Sequence, residues 1–150
     1  MKTKSFVSRE QDYALRITAY LANLQKGQFI SITKMAAILH VSSNFAARIV
    51  HKLKKANITD SVQGKYGGVF LKADPKEISF WDIMSVIGFK MKFNDCMKEN
   101  FFCELEFGCK FHRFFLQQEQ MLKETLMSQK ISDYLFSHFN EITNQKPIMR

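Results

Sequence analysis

Proline is nearly absent from this chain, with two residues in 150, and the sequence holds no internal repeat and no low-complexity stretch. A repeat array and a proline-rich spacer are thereby excluded. Long apolar runs are missing as well. None approaches the ~20 residues that a membrane-spanning helix needs, so no membrane partner is expected. The opening stretch MKTKSFVSREQD lacks the apolar core of a signal peptide, and a cytoplasmic location is the expectation. Cysteine is scarce and odd in number, at three residues, which excludes a disulfide framework in a reducing compartment. Acids are sparse in one half only. Residues 1–75 carry twelve Lys and Arg against four acids, whereas residues 76–150 carry ten of each. The whole net charge of +8 therefore sits in the first half, which points to a polyanion as its partner and to another task for the second half.

What is plentiful is apolar side chain, 46% of residues with 15 phenylalanines, enough to bury a core in one domain with a helical extension. Ser8 followed by Gln11 has the pattern of a capping box, and Tyr13, Ile17, Tyr20, Leu21 and Leu24 then repeat at helical spacing as far as Gly27. A short helix is expected after Ser31, through Met35, Ala36 and Ile38 to about Leu39. His40-Val41-Ser42 is a tight break, with a new cap at Ser42 or Ser43. The third helix places Phe45, Ile49, Val50 and Leu53 on one face, leaving Asn44, Arg48, His51, Lys52 and Lys55 largely on the other. TDSVQGKYGGVFL, residues 59–71, predicts two short strands around a turn in which Gly64, Gly67 and Gly68 permit positive φ. Ser79 with Asp82 starts a helix through Phe89, another runs from Lys110, and a last one is expected over Ser132 to Ile142 before a frayed tail.

Helix, short helix, tight turn, basic helix and glycine-turned hairpin is the order of a winged helix-turn-helix. In that arrangement the second helix of the turn pair enters the major groove of double-stranded DNA, its N-terminal residues at the base edges. Ser42, Ser43, Asn44 and Arg48 occupy those positions, and Asn and Arg make the bidentate contacts that distinguish adenine and guanine. Lys52, Lys54 and Lys55 fall nearer the phosphates, where they supply salt-dependent affinity without sequence information. Lys65 and Tyr66 sit at the wing tip, within reach of the minor groove or phosphates. The bland reading of HKLKK is a solvated helix face; the coincidence of turn, basic helix, wing and one-sided charge favours DNA.

All three cysteines fall in the window DCMKENFFCELEFGCKFH, as C-x6-C-x5-C-x2-H. A lone buried cysteine is ordinarily a small hydrophobe, but this window is rich in charged residues and reads as a loop. Zinc favours paired C-x₂₋₄-C knuckles, for which these gaps are too wide. Iron–sulfur clusters are held mainly by thiolates and tolerate looser spacing, with a non-cysteine ligand sometimes completing the site. Cys96, Cys103 and Cys109 leave one position for His112 or for a carboxylate from elsewhere. A catalytic Cys/His pair lacks a second activating group here, and no enzyme is expected.

Together DYALR (12–16), VSSNFAARIVHKLKKANI (41–58), SVQGKYGGVFL (61–71), ISFWDIM (78–84) and the cysteine window resemble the Rrf-type winged-helix iron–sulfur transcriptional regulators, most closely their NsrR-like members. The resemblance runs from about Asp12 to Leu135. It implies a mostly α fold with a small β-hairpin wing, a winged helix-turn-helix plus a long dimerisation helix, and a homodimer on an operator. By the same resemblance residues 1–90 form the DNA-binding domain and 91–110 the cysteine-bearing loop. Residues 111–143 form the dimerisation and C-terminal helices, and 144–150 a tail. It further implies a 2Fe-2S or 4Fe-4S cluster on Cys96, Cys103 and Cys109. Some members complete the site with an N-terminal Asp of the partner subunit, a position matched by Asp12; others use a His three residues after the last cysteine, matched by His112. The Asn44 context and the DYALR start favour Asp12. Two departures stand out: Gln63 where the family wing usually has Arg, and x6 between the first two cysteines where x5 is commonest. The expected function is a repressor whose cluster senses nitric oxide, redox state or iron status. The alternatives are a cluster-free thiol sensor on the same winged helix, and an interaction module with structural zinc and no DNA.

Overall fold

In the computed structural model of the chain, which describes residues 5–98, 100 and 102–135, serine hydroxyls start the first four helices. Ser8 opens α1 (Arg9–Ala22) with a reciprocal cap: the Gln11 N–H donates to Ser8 Oγ at 3.2 Å and the Ser8 N–H to Gln11 Oε1 at 2.8 Å. Ser31 caps α2 (Ile32–Ile38), Ser42 caps α3 (Ser43–Lys55), and Ser79 with Asp82 forms a second capping box on α4 (Phe80–Val86). Each hydroxyl satisfies an amide that the first helical turn leaves without a partner.

The ends are as regular. After α2, α3 and α4 the chain turns through a left-handed residue: His40 at φ 55°, Asn57 at φ 59° and Gly88 at φ 88°. In each case the following N–H reaches back to close the last turn: Val41 to Ala36, Ile58 to Leu53 and Phe89 to Met84, at 2.9–3.0 Å. Gly88 thus ends α4 before Phe89, which the sequence pattern places inside the helix. Phe89 instead packs with Met84 and Met91. Helix α1 also stops short of Gly27, because its final turn tightens at Asn23 and Leu24.

Helix α1 runs through the middle of the core, with Ala14, Ile17 and Leu21 buried against Met35 and Ala36 of α2 and Ala46, Ile49 and Leu53 of α3. Ala46 takes the buried position. Phe45 is only half-buried and meets the Tyr13 ring edge-on at 5.6 Å.

The wing is an antiparallel pair, β1 (Thr59–Val62) and β2 (Gly68–Leu71), in register from Thr59 opposite Leu71 to Val62 opposite Gly68. Of the wing glycines only Gly64 adopts a positive φ, 111°. Gly67 and Gly68 are needed for a different reason. A Cβ on Gly67 would stand 2.0 Å from the Val62 carbonyl oxygen, and one on Gly68 2.5 Å from that of Ile30. The Ile30 segment is a third partner of the wing: Ile30 and Val69 exchange both backbone hydrogen bonds, at 3.0 and 2.8 Å.

Beyond α4 a 3₁₀ turn (Asp95–Met97) precedes α5 (Lys110–Ser128). The chain then returns to the start of α4: Phe80 donates to Gln129 O at 3.0 Å and Ile131 to Ile78 O at 3.1 Å. Ile131 is buried in the main core, so the end of α5 is pinned to the body. The helix expected from Ser132 begins here only as a 3₁₀ turn, Ile131–Tyr134, followed by extended Leu135. The backbone at this point is drawn into pairing with residues 78–80 rather than into a helix. Residues 136–142 of that expected helix, and the tail, lie outside the described residues. A smaller core of Met84, Phe89 and Met91 joins Leu15 of α1 to Leu122 and Leu126 of α5.

Candidate nucleic-acid interface and cysteine loop

Helix α3 shows one buried and one open face. Ala46, Ile49, Val50 and Leu53 are buried, while Asn44, Arg48, His51 and Lys55 are exposed and Ser43 and Lys52 half-buried. Ser42 is exposed, with its hydroxyl accepting the Phe45 N–H at 3.3 Å. The sequence-predicted contact residues thus share the open side of one helix, with its N-terminal turn leading. Lys54 is the exception. Its side chain stays exposed, but its ammonium binds Asp60 of β1 at 3.1 Å and the Ser61 hydroxyl, tying α3 to the wing. The Asp60 carboxyl is held below the usual carboxylate range by the Ser61 N–H and then by Lys54.

An acid that sequence reasoning passed over joins this face. Glu10, in the first turn of α1, accepts from Lys52 Nζ at 2.9 Å and lies 3.4 Å from Arg48 Nε. Lys52, then Arg48, hold its carboxyl below the ordinary glutamate value against an opposing effect of burial. The partners stand 42 and 38 residues away, so no local pattern could reveal the pairing. Arg48 also lies over the Phe45 ring at 5.5 Å, and Arg9 covers the Phe45 and Tyr13 rings.

At the wing tip Gln63, Lys65 and Tyr66 are exposed, Tyr66 to 84%, and the Lys65 ammonium sits 5.6 Å from the Tyr66 ring centroid. Tip and open face of α3 belong to one rigid unit, since Lys54 and the Thr59 hydroxyl, which donates to Val50 O, bind hairpin to helix.

The cysteine loop is built around the start of α5. Cys109 is its N-cap: the sulfur accepts the His112 N–H at 3.4 Å. The His112 ring projects back, with Nδ1 3.5 Å from Cys96 Sγ and Nε2 3.8 Å from Glu106. All three cysteines are free and half-exposed. Burial raises the Cys96 thiol, and Cys103, Cys109 and Glu106 push in the same direction. Glu119 of α5, itself buried, anchors the loop's entry by accepting the Phe93 N–H at 2.8 Å.

Soft thiol sulfurs and one imidazole form a donor set suited to a thiolate-held cluster. Among the described residues no three such groups converge as the ligands of one ion would. Asp12 lies apart from this set: its carboxylate pairs with Arg16 at 3.0 Å and borders an open cleft with Leu15, Phe80 and Tyr134. In a single chain, then, the fold brings His112 to the cysteines and does not bring Asp12.

Against known proteins, a family model described as Rrf2, iron-dependent transcriptional regulator, matches residues 7–136. The chain is 28% identical over 100 residues to the HTH-type transcriptional regulator NsrR of Shouchella clausii (strain KSM-K16), covering 66% of this chain and 67% of that protein. Its match to a second curated relative spans 58% of that relative's length. The fold is similar to that of CymR (YrzC), the global cysteine regulator of B. subtilis, with a TM-score of 0.71 at 24% identity, covering 86% of this chain and 95% of that one. It is also similar to T. potens IscR, with a TM-score of 0.66 at 21% identity over 98% and 95% of the two chains.

Proposed function

The chain belongs to the Rrf2 family of transcriptional regulators, and from that premise we propose that it is no enzyme but a DNA-binding repressor that senses nitric oxide, redox state or iron status through an iron–sulfur cluster on Cys96, Cys103 and Cys109. The observation that carries this reading is the placing of His112 Nδ1 3.5 Å from Cys96 Sγ at a helix start capped by Cys109. His112 is the fourth ligand that this geometry supports; Asp12 is the alternative, supplied from a partner subunit. A bound cluster supplies the chemistry that reacts with nitric oxide or oxidants.

The chain's own residues supply the transmission. Loop 95–109 is fastened to α5 at its two ends, through Glu119 and through the cap at Cys109. Leu122 and Leu126 of α5 pack with Met84 of α4 and Leu15 of α1, and α1 and α3 share the main core, to which Ile17 and Ile49 belong. A shift of α5 is therefore passed to the recognition helix through contiguous side chains. Phe111, Phe114, Leu116, Met121 and Met127 of α5 stay exposed, an apolar surface that supports pairing with a second copy. In such a dimer the two α3 helices must fit half-sites about 34 Å apart, so a modest tilt weakens simultaneous binding. Moving occupancy from mostly bound to mostly free requires a coupling of ~5 kcal/mol or less.

The test is absorption spectroscopy with iron and sulfide counts on protein purified without oxygen, followed by duplex binding before and after nitric oxide. Charge-transfer bands, matching iron and sulfide, and an affinity that changes with nitric oxide are expected. A second reading, a thiol switch, is favoured by three free, half-exposed cysteines within one loop. It predicts a colourless protein in which peroxide or a persulfide takes two thiols to a disulfide that dithiothreitol reverses. Stoichiometric zinc with no duplex affinity would overturn both.

A further inference from the structure

Lys52 and Arg48 project from the open face of α3, where phosphates and base edges are expected, yet both are already engaged by one carboxylate. Glu10 accepts from Lys52 at 2.9 Å and from Arg48 at 3.4 Å, with its own side chain 24% exposed and those of Arg48 and Lys52 61% and 38%. Its Oε1, shared by the two, occupies the kind of position that a DNA phosphate oxygen would take on these cations. We propose that Glu10 is a positioning and specificity-determining residue for DNA recognition, an internal counterion that stands in for phosphate on Lys52 and Arg48 until a correct operator replaces it. The inference rests on the DNA-binding reading of α3.

Non-specific affinity comes almost wholly from cations that release counterions from the duplex, with a salt slope of about −0.9 per phosphate neutralised. A lysine already paired with a carboxylate contributes little to that release. Binding must exchange Glu10 for a phosphate on Lys52, which approaches neutrality in free energy, while Arg48 gains only where a guanine edge accepts its fork. Glu10 thus lowers affinity for any duplex and leaves base readout to decide. It also holds Arg48 beside the Phe45 ring rather than free to swing onto the nearest phosphate. Position supports the assignment: Glu10 lies in the α1 turn capped by Ser8 and Gln11, so the carboxylate is presented by a rigid element.

The experiment measures affinity of the full chain for a short mixed-sequence duplex across a salt series. Glu10→Gln keeps the acceptor and removes the charge. It should bind this duplex more tightly and steepen the slope of log K against log[salt] by about 0.9–1.8, for one or two freed cations. Each freed cation adds roughly a threefold to fourfold extra loss of affinity between 50 and 200 mM salt. Glu77→Gln, an exposed acid away from α3, should leave the slope alone, which separates local pairing from net charge. In the wild-type background Lys52→Gln should change the slope much less than Lys55→Gln, because the Lys52 charge is already compensated; this arm stands even where the Glu10 variant fails to fold. Equal slopes for Glu10→Gln and wild type, or equal shifts for Glu10→Gln and Glu77→Gln, overturn the inference alone. Absence of salt-dependent duplex binding by the wild-type chain overturns the DNA-binding reading and this inference with it.

Discussion

His112 Nδ1 lies 3.5 Å from Cys96 Sγ across sixteen residues of sequence, and the His112 backbone N–H is held by the sulfur of Cys109. One histidine therefore touches two of the three cysteines, through its ring and through its backbone. The contact gives the fourth ligand a test. His112→Ala should shift the cluster's absorption bands or hasten its loss, whereas Asp12→Ala should leave the spectrum as it is. The reverse pattern would assign the position to Asp12 of the partner subunit.

Removing Cys103 is the sharper test of the sensor itself. Cys103→Ala should yield protein with less than one cluster's iron and sulfide and with duplex affinity that no longer responds to nitric oxide. An unchanged spectrum and response would sink the cluster reading.

On the DNA side, Asn44→Ala and Arg48→Ala should each weaken operator binding by about 1–3 kcal/mol and relax preference at one base position. Their iron and sulfide counts should match the wild type, since neither residue lies in the cysteine loop. A loss of equal size on every duplex would mark the residues as phosphate contacts instead.

The wing offers a prediction about folding. A methyl group on Gly68 would sit 2.5 Å from the Ile30 carbonyl oxygen, a backbone atom locked in the exchange with Val69. Gly68→Ala should cost about 1–3 kcal/mol of stability, as overpacking of a close backbone contact does, read as a lower urea midpoint. Gly64→Ala meets no neighbour within 4 Å but must hold φ near 111°, so it too should destabilise, through backbone strain alone.

Glu10 makes stability depend on pH. Its carboxyl is held below the ordinary glutamate value by Lys52 and Arg48, so on acidification the unfolded chain takes up that proton first. The stabilisation is complete above the unfolded value of about 4.3 and is lost as pH falls through the lower folded value. Urea midpoints of wild type and Glu10→Gln should therefore differ at neutral pH and converge once the pH has fallen below the folded value. A constant gap across that window would mean that the ion pair contributes nothing.

The sequence by itself determined what depends on near neighbours in the chain. Serine three residues before a paired acceptor set the starts of α1 and α4, apolar spacing set the buried face of α3, and the distribution of charge singled out the basic half. The cysteine window and the family resemblance were legible for the same reason, since spacing along the chain is itself the signal. The tertiary structure alone decided everything that joins distant segments. Glu10 came to Lys52 and Arg48, Lys54 turned from the expected phosphates to Asp60, and Gly68 proved to be a close approach to Ile30 rather than a positive φ. His112 was brought to Cys96 and Asp12 was not. Such pairings follow from how α1 docks on α3, how the wing docks on residue 30 and how the loop folds back on α5. Docking is fixed by the summed burial of many side chains, and no short stretch of sequence carries that sum.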